Sequence, residues 1–106
     1  MNVNLTFKQM DATEALKSHA NAKSERLKKF LARASECNWV FFVEADQHVA
    51  DLRVTGPHID HFAQAKTADM YQSIDECVEK LEKQLRKHKE IVKDHLHRNR
   101  PPSSSE

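Results

Sequence analysis

Three consecutive strand-like segments lie between residues 38 and 66, and their arrangement constrains the fold more than any other feature of the chain. The first, NWVFFVEA, is rich in aromatic and β-branched residues, and the next two, HVADLRVT and HIDHFAQAK, alternate apolar with polar residues. Gly56 and Pro57 give the turn signal between the last two. The pattern predicts three strands in an antiparallel meander, with one apolar face that other elements must cover.

Helical patterns flank these strands on both sides. Asp11 and Glu14 resemble a capping box, and the apolar residues behind them recur at helical spacing, so we predict a first helix over 12–34. Asp69 is the predicted N-cap of a second helix over 69–95, which carries a continuous apolar stripe.

A short strand precedes the first helix, because Val3, Leu5 and Phe7 alternate with polar residues. The element order is then β-α-β-β-β-α, and the predicted fold class is α+β. We expect a two-layer sandwich, with two helices packed on one face of a four-stranded sheet. One domain accounts for residues 1–97, and the Pro- and Ser-rich end, 98–106, is predicted to be a disordered tail.

Composition excludes several classes of protein. Gly56 is the only glycine, so the glycine-rich phosphate loops of nucleotide-binding proteins are absent. No basic segment followed by an apolar run opens the sequence, and no stretch approaches a membrane span. We therefore expect a cytoplasmic protein without membrane contact, in which Cys37 and Cys77 stay reduced.

Charge is separated along the chain, although the formal net charge is only +1. Residues 12–34 hold six basic and two acidic residues, and residues 80–100 hold eight basic and three acidic residues. Between them, residues 35–79 hold nine acidic and two basic residues. Because the positive segments are predicted helices and the negative segment is mostly predicted sheet, we expect a basic helical layer and acids placed elsewhere.

On a helical wheel the bases form ridges beside each apolar stripe. In the first helix the ridge comprises Lys23, Arg26, Lys29 and Arg33. In the second helix one flank holds Lys80, Lys83 and Lys87, and the other holds Arg86, Lys89 and Lys93. Charged helix faces are usually solvated, but two ridges that converge on one face favour a site for a polyanion, in particular nucleic-acid phosphate.

The two helical segments resemble the ribosome hibernation promoting factor family, also called ribosome-associated inhibitor A or sigma-54 modulation proteins. The matching stretches are TEALKSHANAKSERLKKFL and ADMYQSIDECVEKLEKQLRKHKEIVKDH, and the resemblance covers about residues 1–95. It implies a domain that binds the small ribosomal subunit, meaning 16S rRNA and neighbouring ribosomal proteins, in the mRNA and tRNA channel. It also implies inhibition of translation in stationary phase or stress.

The resemblance carries a set of rRNA-binding positions onto this sequence. These are Lys23, Arg26, Lys80, Lys83, Gln84, Lys87, His88 and Lys89. The charge ridges add Lys29, Arg86 and Lys93. The resemblance further implies a binding protein that is not an enzyme, has no cofactor, and is a monomer off the ribosome. By this resemblance we expect a short form without the second domain that pairs ribosomes. The sequence has Thr67 and Ala68 where the family often has glycine before the second helix.

Two other binding functions stay open. The order α-β-β-β-α also matches a double-stranded RNA-binding module, although that module's second helix begins with bases and this one begins with Asp69 and Asp75. The older family name suggests a transcription modulator. Tyr71 and Trp39 are aromatic residues able to stack on bases, but their contexts favour the core.

A metal-dependent enzyme is the remote alternative, raised by His58 and His61 and by His95 and His97. Alternation along a strand points His58 and His61 to opposite faces, and His95 and His97 lie roughly 200° apart on a helix. Neither pair suits a shared metal ion. We predict no catalytic residues and no metal ligands.

Overall fold

The computed structural model describes the backbone of residues 1–98 and the side chains of residues 1–89. The elements are β1 (Asn2–Phe7), α1 (Glu14–Ser24), a 3₁₀ helix (Glu25–Phe30), β2 (Glu36–Glu44), β3 (Gln47–Gly56), β4 (Ile59–Thr67) and α2 (Met70–Arg98). This order confirms the predicted α+β fold. The predicted disordered tail lies outside the described residues, apart from the backbone of Arg98, where α2 ends.

The four strands form one sheet in the order β1-β2-β3-β4. β1 runs parallel to β2, and the other pairs are antiparallel, which confirms the meander. Ala45 and Asp46, with φ of 49° and 66°, form the two-residue turn between β2 and β3. Gly56 is required because a side chain does not fit there. A Cβ at this position would lie 2.4 Å from the Ser35 Oγ atom.

The core lies between the sheet and the two helices. Cys37, Trp39 and Phe41 of β2 are buried in it, and the Trp39 and Phe41 ring centroids lie 5.4 Å apart. Trp39 Nε1 donates a hydrogen bond to Ser24 Oγ at 2.8 Å, and Ser24 Oγ donates to the Ala20 carbonyl at 2.7 Å. The buried indole N–H therefore has a partner, and Trp39 is a core residue as predicted.

The first helix is shorter than the predicted range, 12–34, and differs at both ends. Thr13, not Asp11, is the N-cap, because its hydroxyl accepts the backbone N–H three residues later at 3.2 Å. The α-helix ends at Ser24, one 3₁₀ segment follows, and Leu31 is already extended with φ −117° and ψ 142°. Leu31 packs against the core after the chain has left the helix, so apolar spacing alone misassigned it.

The second helix begins where predicted. Asp69 Oδ1 accepts the Tyr71 N–H at 3.1 Å, as an N-cap side chain does. The preceding turn forms without glycine, because Thr67 Oγ1 accepts the Asp69 N–H at 3.1 Å. Within residues 1–98, neither helix is long and apolar enough to cross a membrane.

Both helices cover the same face of the sheet, as predicted. α2 packs on β3 and β4, and α1 packs on β1 and beside α2. Ser73 Oγ, near the start of α2, donates to the His48 carbonyl at 2.6 Å. Gln84, further along α2, donates through Nε2 to the Phe62 carbonyl at 2.9 Å. His48 pairs with Thr67 at the end of β4, so α2 runs antiparallel to β4. The part of α2 from Lys80 onward, which we call its basic half, lies over the beginning of β4.

Candidate nucleic-acid interface

The candidate interface is the helical face, meaning the exposed side of α1, the 3₁₀ helix and α2 that lies away from the sheet. Along the seam between the helices, bases of the first helical segment meet acids of α2. Lys23 Nζ lies 3.7 Å from Asp75 Oδ1, and Arg26 Nη2 lies 2.6 Å from Glu82 Oε1. His19 Nε2 is 2.7 Å from the same Asp75 oxygen.

The expectation that acids lie away from the helical layer is wrong at this seam. Asp75 and Glu82 are seven residues apart, so they occupy one flank of α2, and that spacing was a signal available in the sequence. The Glu82 side chain is only 10% exposed, and a carboxylate so enclosed requires a partner. The two acids fix Lys23 and Arg26 between the helices and lower the net positive charge there.

The opposite flank of α2 contacts β4, which is the last strand in the sheet order. Lys80 Nζ donates to the Gln64 carbonyl at 2.7 Å, and Gln84 Nε2 donates to the Phe62 carbonyl at 2.9 Å. These side chains satisfy backbone carbonyls along the sheet edge, which protects an edge strand from further pairing. Lys80 and Gln84 thus have contacts inside the protein as well as a predicted role in binding.

Gln84 also orients a histidine that was not among the predicted binding residues. Because its amide nitrogen donates to the Phe62 carbonyl, its oxygen Oε1 is the acceptor facing His61 Nδ1, at 3.2 Å. The His61 and His88 rings then meet edge to face, with centroids 5.5 Å apart. This cluster joins β4 to α2 across a separation in sequence that no local pattern reveals.

Phe30, at the end of the 3₁₀ helix, joins the cationic residues of both helical segments. Lys29 Nζ lies 5.3 Å and Arg86 Cζ lies 6.0 Å from the Phe30 ring centroid, within cation–π range. The flank of α2 that carries Arg86 therefore faces the first helical segment, whereas the flank that carries Lys80 faces β4.

The predicted binding residues occupy four settings. Lys23 and Arg26 lie in the seam. Lys29 and Arg86 lie at the Phe30 ring. Lys80, Gln84 and His88 lie at the β4 edge. Lys83, Lys87 and Lys89 are exposed. Lys93 is part of the α2 backbone, and its side chain lies outside the described residues.

The prediction that Tyr71 is a core residue is wrong. Its side chain is 38% exposed, and its ring contacts His19 edge to face, with centroids 5.1 Å apart. The position falls beside the seam at the first turn of α2, where the apolar stripe of the helix has only begun.

The open face of the sheet, meaning the face away from the helices, carries acids that have polar partners. Arg53 donates to both oxygens of Asp60, at 3.0 and 2.8 Å, and this hydrogen bonding lowers the pKa of the Asp60 carboxyl. Lys66 Nζ lies 3.4 Å from Glu44 Oε1. Asp60 and Glu44 are thus directed away from the helical face, unlike Asp75 in the seam.

The histidines and cysteines, which are the candidate metal ligands, are dispersed. Among the side chains of residues 1–89, no three His, Cys, Asp or Glu residues are grouped so as to hold a metal ion. His95 and His97 lie outside the described side chains. Cys37 and Cys77 are free, as predicted, and burial raises their pKa values to about 11 and about 12.

Known proteins are similar to this chain in sequence and in fold. Residues 3–93 match the family model described as sigma 54 modulation protein / S30EA ribosomal protein. The chain is 37% identical over 97 residues to the ribosome hibernation promoting factor of Escherichia coli strain K12, which covers 90% of this chain and 100% of that protein. It is 34% identical over 106 residues to the factor of the same name from Azotobacter vinelandii, with coverage of 98% and 97%.

A solved structure agrees with the sequence comparison. The ribosomal subunit interface protein from Coxiella burnetii superposes on the chain with a TM-score of 0.76 at 27% sequence identity. The match covers 84% of this chain and 98% of that one.

Proposed function

Because this chain belongs to the sigma 54 modulation protein / S30EA ribosomal protein family, we propose that it binds the small ribosomal subunit through its helical face. The bound protein occupies the channel used by mRNA and by the A-site and P-site tRNAs, and translation stops in stationary phase or stress. The protein acts in the cytoplasm as a monomer, with 16S rRNA and neighbouring ribosomal proteins as partners and without a cofactor.

The observation that carries this proposal is the distribution of charge between the two sides of the domain. Lys83, Lys87 and Lys89 are exposed on the basic half of α2. Arg26 lies in the seam, on the flank of α2 opposite β4, and Asp60 and Glu44 of the open face point away. Neutralising RNA phosphates with lysine and arginine releases condensed counterions, which drives binding to nucleic acid irrespective of its sequence.

The seam pairs support this function by fixing the geometry of the bases. Arg26 uses Nη2 to bind Glu82, but a guanidinium has five N–H donors, and the Arg26 side chain is 44% exposed. A phosphate can therefore bind Arg26 while Glu82 holds its side chain in place. Inhibition is steric, since the domain fills space that tRNA and mRNA need, and no covalent step is involved.

Charge reversal at Lys87, with Lys8 as the matched control, tests the proposal. Both lysines are exposed, but Lys8 follows β1 at the end of the sheet where α2 begins, far along α2 from Lys87. We expect Lys87→Glu to weaken cosedimentation with small subunits about tenfold or more and to reduce the salt slope of binding by about 1. Lys8→Glu should bind like the wild type.

Equal binding by the two folded variants would contradict the proposed face. Wild-type protein that fails to cosediment with small subunits at low salt would contradict the proposed partner. Equally tight binding to an RNA duplex of similar charge would favour the double-stranded RNA-binding module, and tight binding to promoter DNA would favour the transcription modulator.

A further inference from the structure

A cleft opens where the basic half of α2 crosses the beginning of β4. Its first part, of about 220 Å³, is lined by His61, Gln84, Lys87 and His88. The adjoining part, of about 230 Å³, is lined by Lys29, Phe30, Ile59, Leu85, His88 and Lys89. His88 lines both parts, which therefore adjoin, and we call the two parts together the α2–β4 cleft.

The lining of the α2–β4 cleft combines three kinds of group. Ile59 and Leu85 give it an apolar floor, and the edge-to-face rings of His61 and His88 give it flat aromatic walls. Lysines stand at its rim, including the exposed Lys87. Each part by itself is smaller than the roughly 300–1,000 Å³ of sites that enclose drug-sized ligands, so one part holds no more than a single ring system.

We propose that the α2–β4 cleft binds one unstacked nucleotide of single-stranded RNA. The base packs against the rings of His61 and His88 and the side chain of Ile59, and the phosphate lies at the exposed ammonium group of Lys87. This inference rests on the proposed function, which brings RNA to the helical face. It adds His61 and Ile59 to the binding surface, neither of which belongs to the basic ridges.

The cleft suits a nucleotide because its aromatic rings can stack on the base and its lysines can bind the phosphate. Aromatic side chains can stack on any base, because every base has a π face. Lysine ammonium groups attract the phosphate. A base inside a duplex is already stacked on its neighbours, so only an unpaired nucleotide can enter. Gln84 acts as a positioning residue, since its bonds to the Phe62 carbonyl and to His61 Nδ1 hold the His61 ring at the cleft.

NMR titration with a short single-stranded RNA oligonucleotide provides a direct test. We expect the imidazole signals of His61 and His88 to shift with this probe and to stay unchanged with a duplex of equal phosphate number. His61→Ala should weaken binding of the oligonucleotide roughly tenfold, the scale of one lost aromatic stacking contact. The salt slope of binding should not change, unlike that of Lys87→Glu, because the lost contact is with the base and not with a phosphate.

Two further histidine variants control for general effects. His61→Phe keeps an aromatic ring at the cleft and should bind within about twofold of the wild type, since stacking is retained. His58→Ala removes an exposed histidine from the turn before β4 and should bind like the wild type. If His61→Ala fails to fold in a thermal scan, His88→Ala tests the same wall of the cleft from α2.

The same variants on ribosomes separate the failure of this inference from the failure of the proposed function. If wild-type protein and folded His61→Ala bind small subunits equally, the nucleotide site is refuted and the proposed function stands. If the wild type does not bind small subunits, the proposed function fails, and the oligonucleotide titration still decides on the cleft. A defect of His61→Ala on messenger-free subunits identifies ribosomal RNA as the source of the nucleotide.

Discussion

Replacing Arg26 by methionine tests how strongly the seam between the helices depends on one ion pair. The Arg26 guanidinium donates to Glu82 Oε1 at 2.6 Å, and the Glu82 side chain is only 10% exposed. Arg26→Met keeps much of the aliphatic stem but leaves the carboxylate enclosed without its cationic partner. Removing one member of a buried pair costs about 3–5 kcal/mol, because the other charge stays desolvated.

The exposure of Arg26 lowers the expected cost of removing its charge. Its side chain is 44% exposed, so water reaches part of the pair, and the value for a hydrogen bond to a charged group, about 1.5–3 kcal/mol, is the better scale. We therefore expect Arg26→Met to lower the free energy of unfolding by about 2 kcal/mol. For a domain of this size, the melting temperature falls by roughly 10 °C.

A double-mutant cycle measured by urea unfolding isolates the interaction. Arg26→Met combined with Glu82→Met removes both charges, and we expect the double variant to lie within about 1 kcal/mol of the wild type. The pair Lys28–Glu25 is the matched control, with side chains 69% and 62% exposed and 3.9 Å between the charged atoms. Its coupling should not exceed about 0.5 kcal/mol. Equal coupling in the two cycles would refute the claim that burial at the seam makes the Arg26 pair strong.

Three further predictions concern the core. Ser24→Ala should cost about 1–3 kcal/mol in urea unfolding, because it leaves the Trp39 indole N–H without an acceptor. Gly56→Ala should cost about 1–3 kcal/mol through the contact with Ser35, and a Ser35→Ala background should recover part of the loss in the melting temperature. Burial raises the pKa of Cys77 from 9.0 to about 12, so the stability this thiol contributes is complete below the unfolded pKa. That stability declines as pH rises from 9.0 to about 12. Urea unfolding of the wild type and of Cys77→Ala, compared over the same pH range, checks this prediction.

Periodicity was sufficient to predict the four strands, the two α-helices and their order, but not the 3₁₀ helix. Alternation at Val3, Leu5 and Phe7 correctly predicted β1, and the Asp69 cap correctly predicted the start of α2. Helix one was predicted too long, because Leu31 keeps helical spacing while lying in extended chain. A pattern of apolar residues records which side chains are buried, and burial is compatible with more than one backbone conformation.

The candidate site was predictable in composition but not in its internal contacts. Clusters of lysine and arginine in the helices are visible in the sequence, and they predict the helical face as the binding surface. Which acids meet which bases depends on how α1 and α2 are placed against each other, so the Arg26–Glu82 contact requires the fold. The same holds for His61, which reaches Gln84 and His88 only because α2 runs antiparallel to β4. Long-range packing, which no local window contains, determines these contacts.

Chemical probing of 16S rRNA in isolated small subunits, with and without the protein, tests the proposed binding site most directly. We predict protection of nucleotides that line the mRNA and tRNA channel. The Lys8→Glu variant should retain this protection, and Lys87→Glu should lose it at matched concentration, because only Lys87 lies on the basic half of α2. Protection confined to rRNA outside the channel, or an identical pattern for both variants, would contradict binding through the helical face.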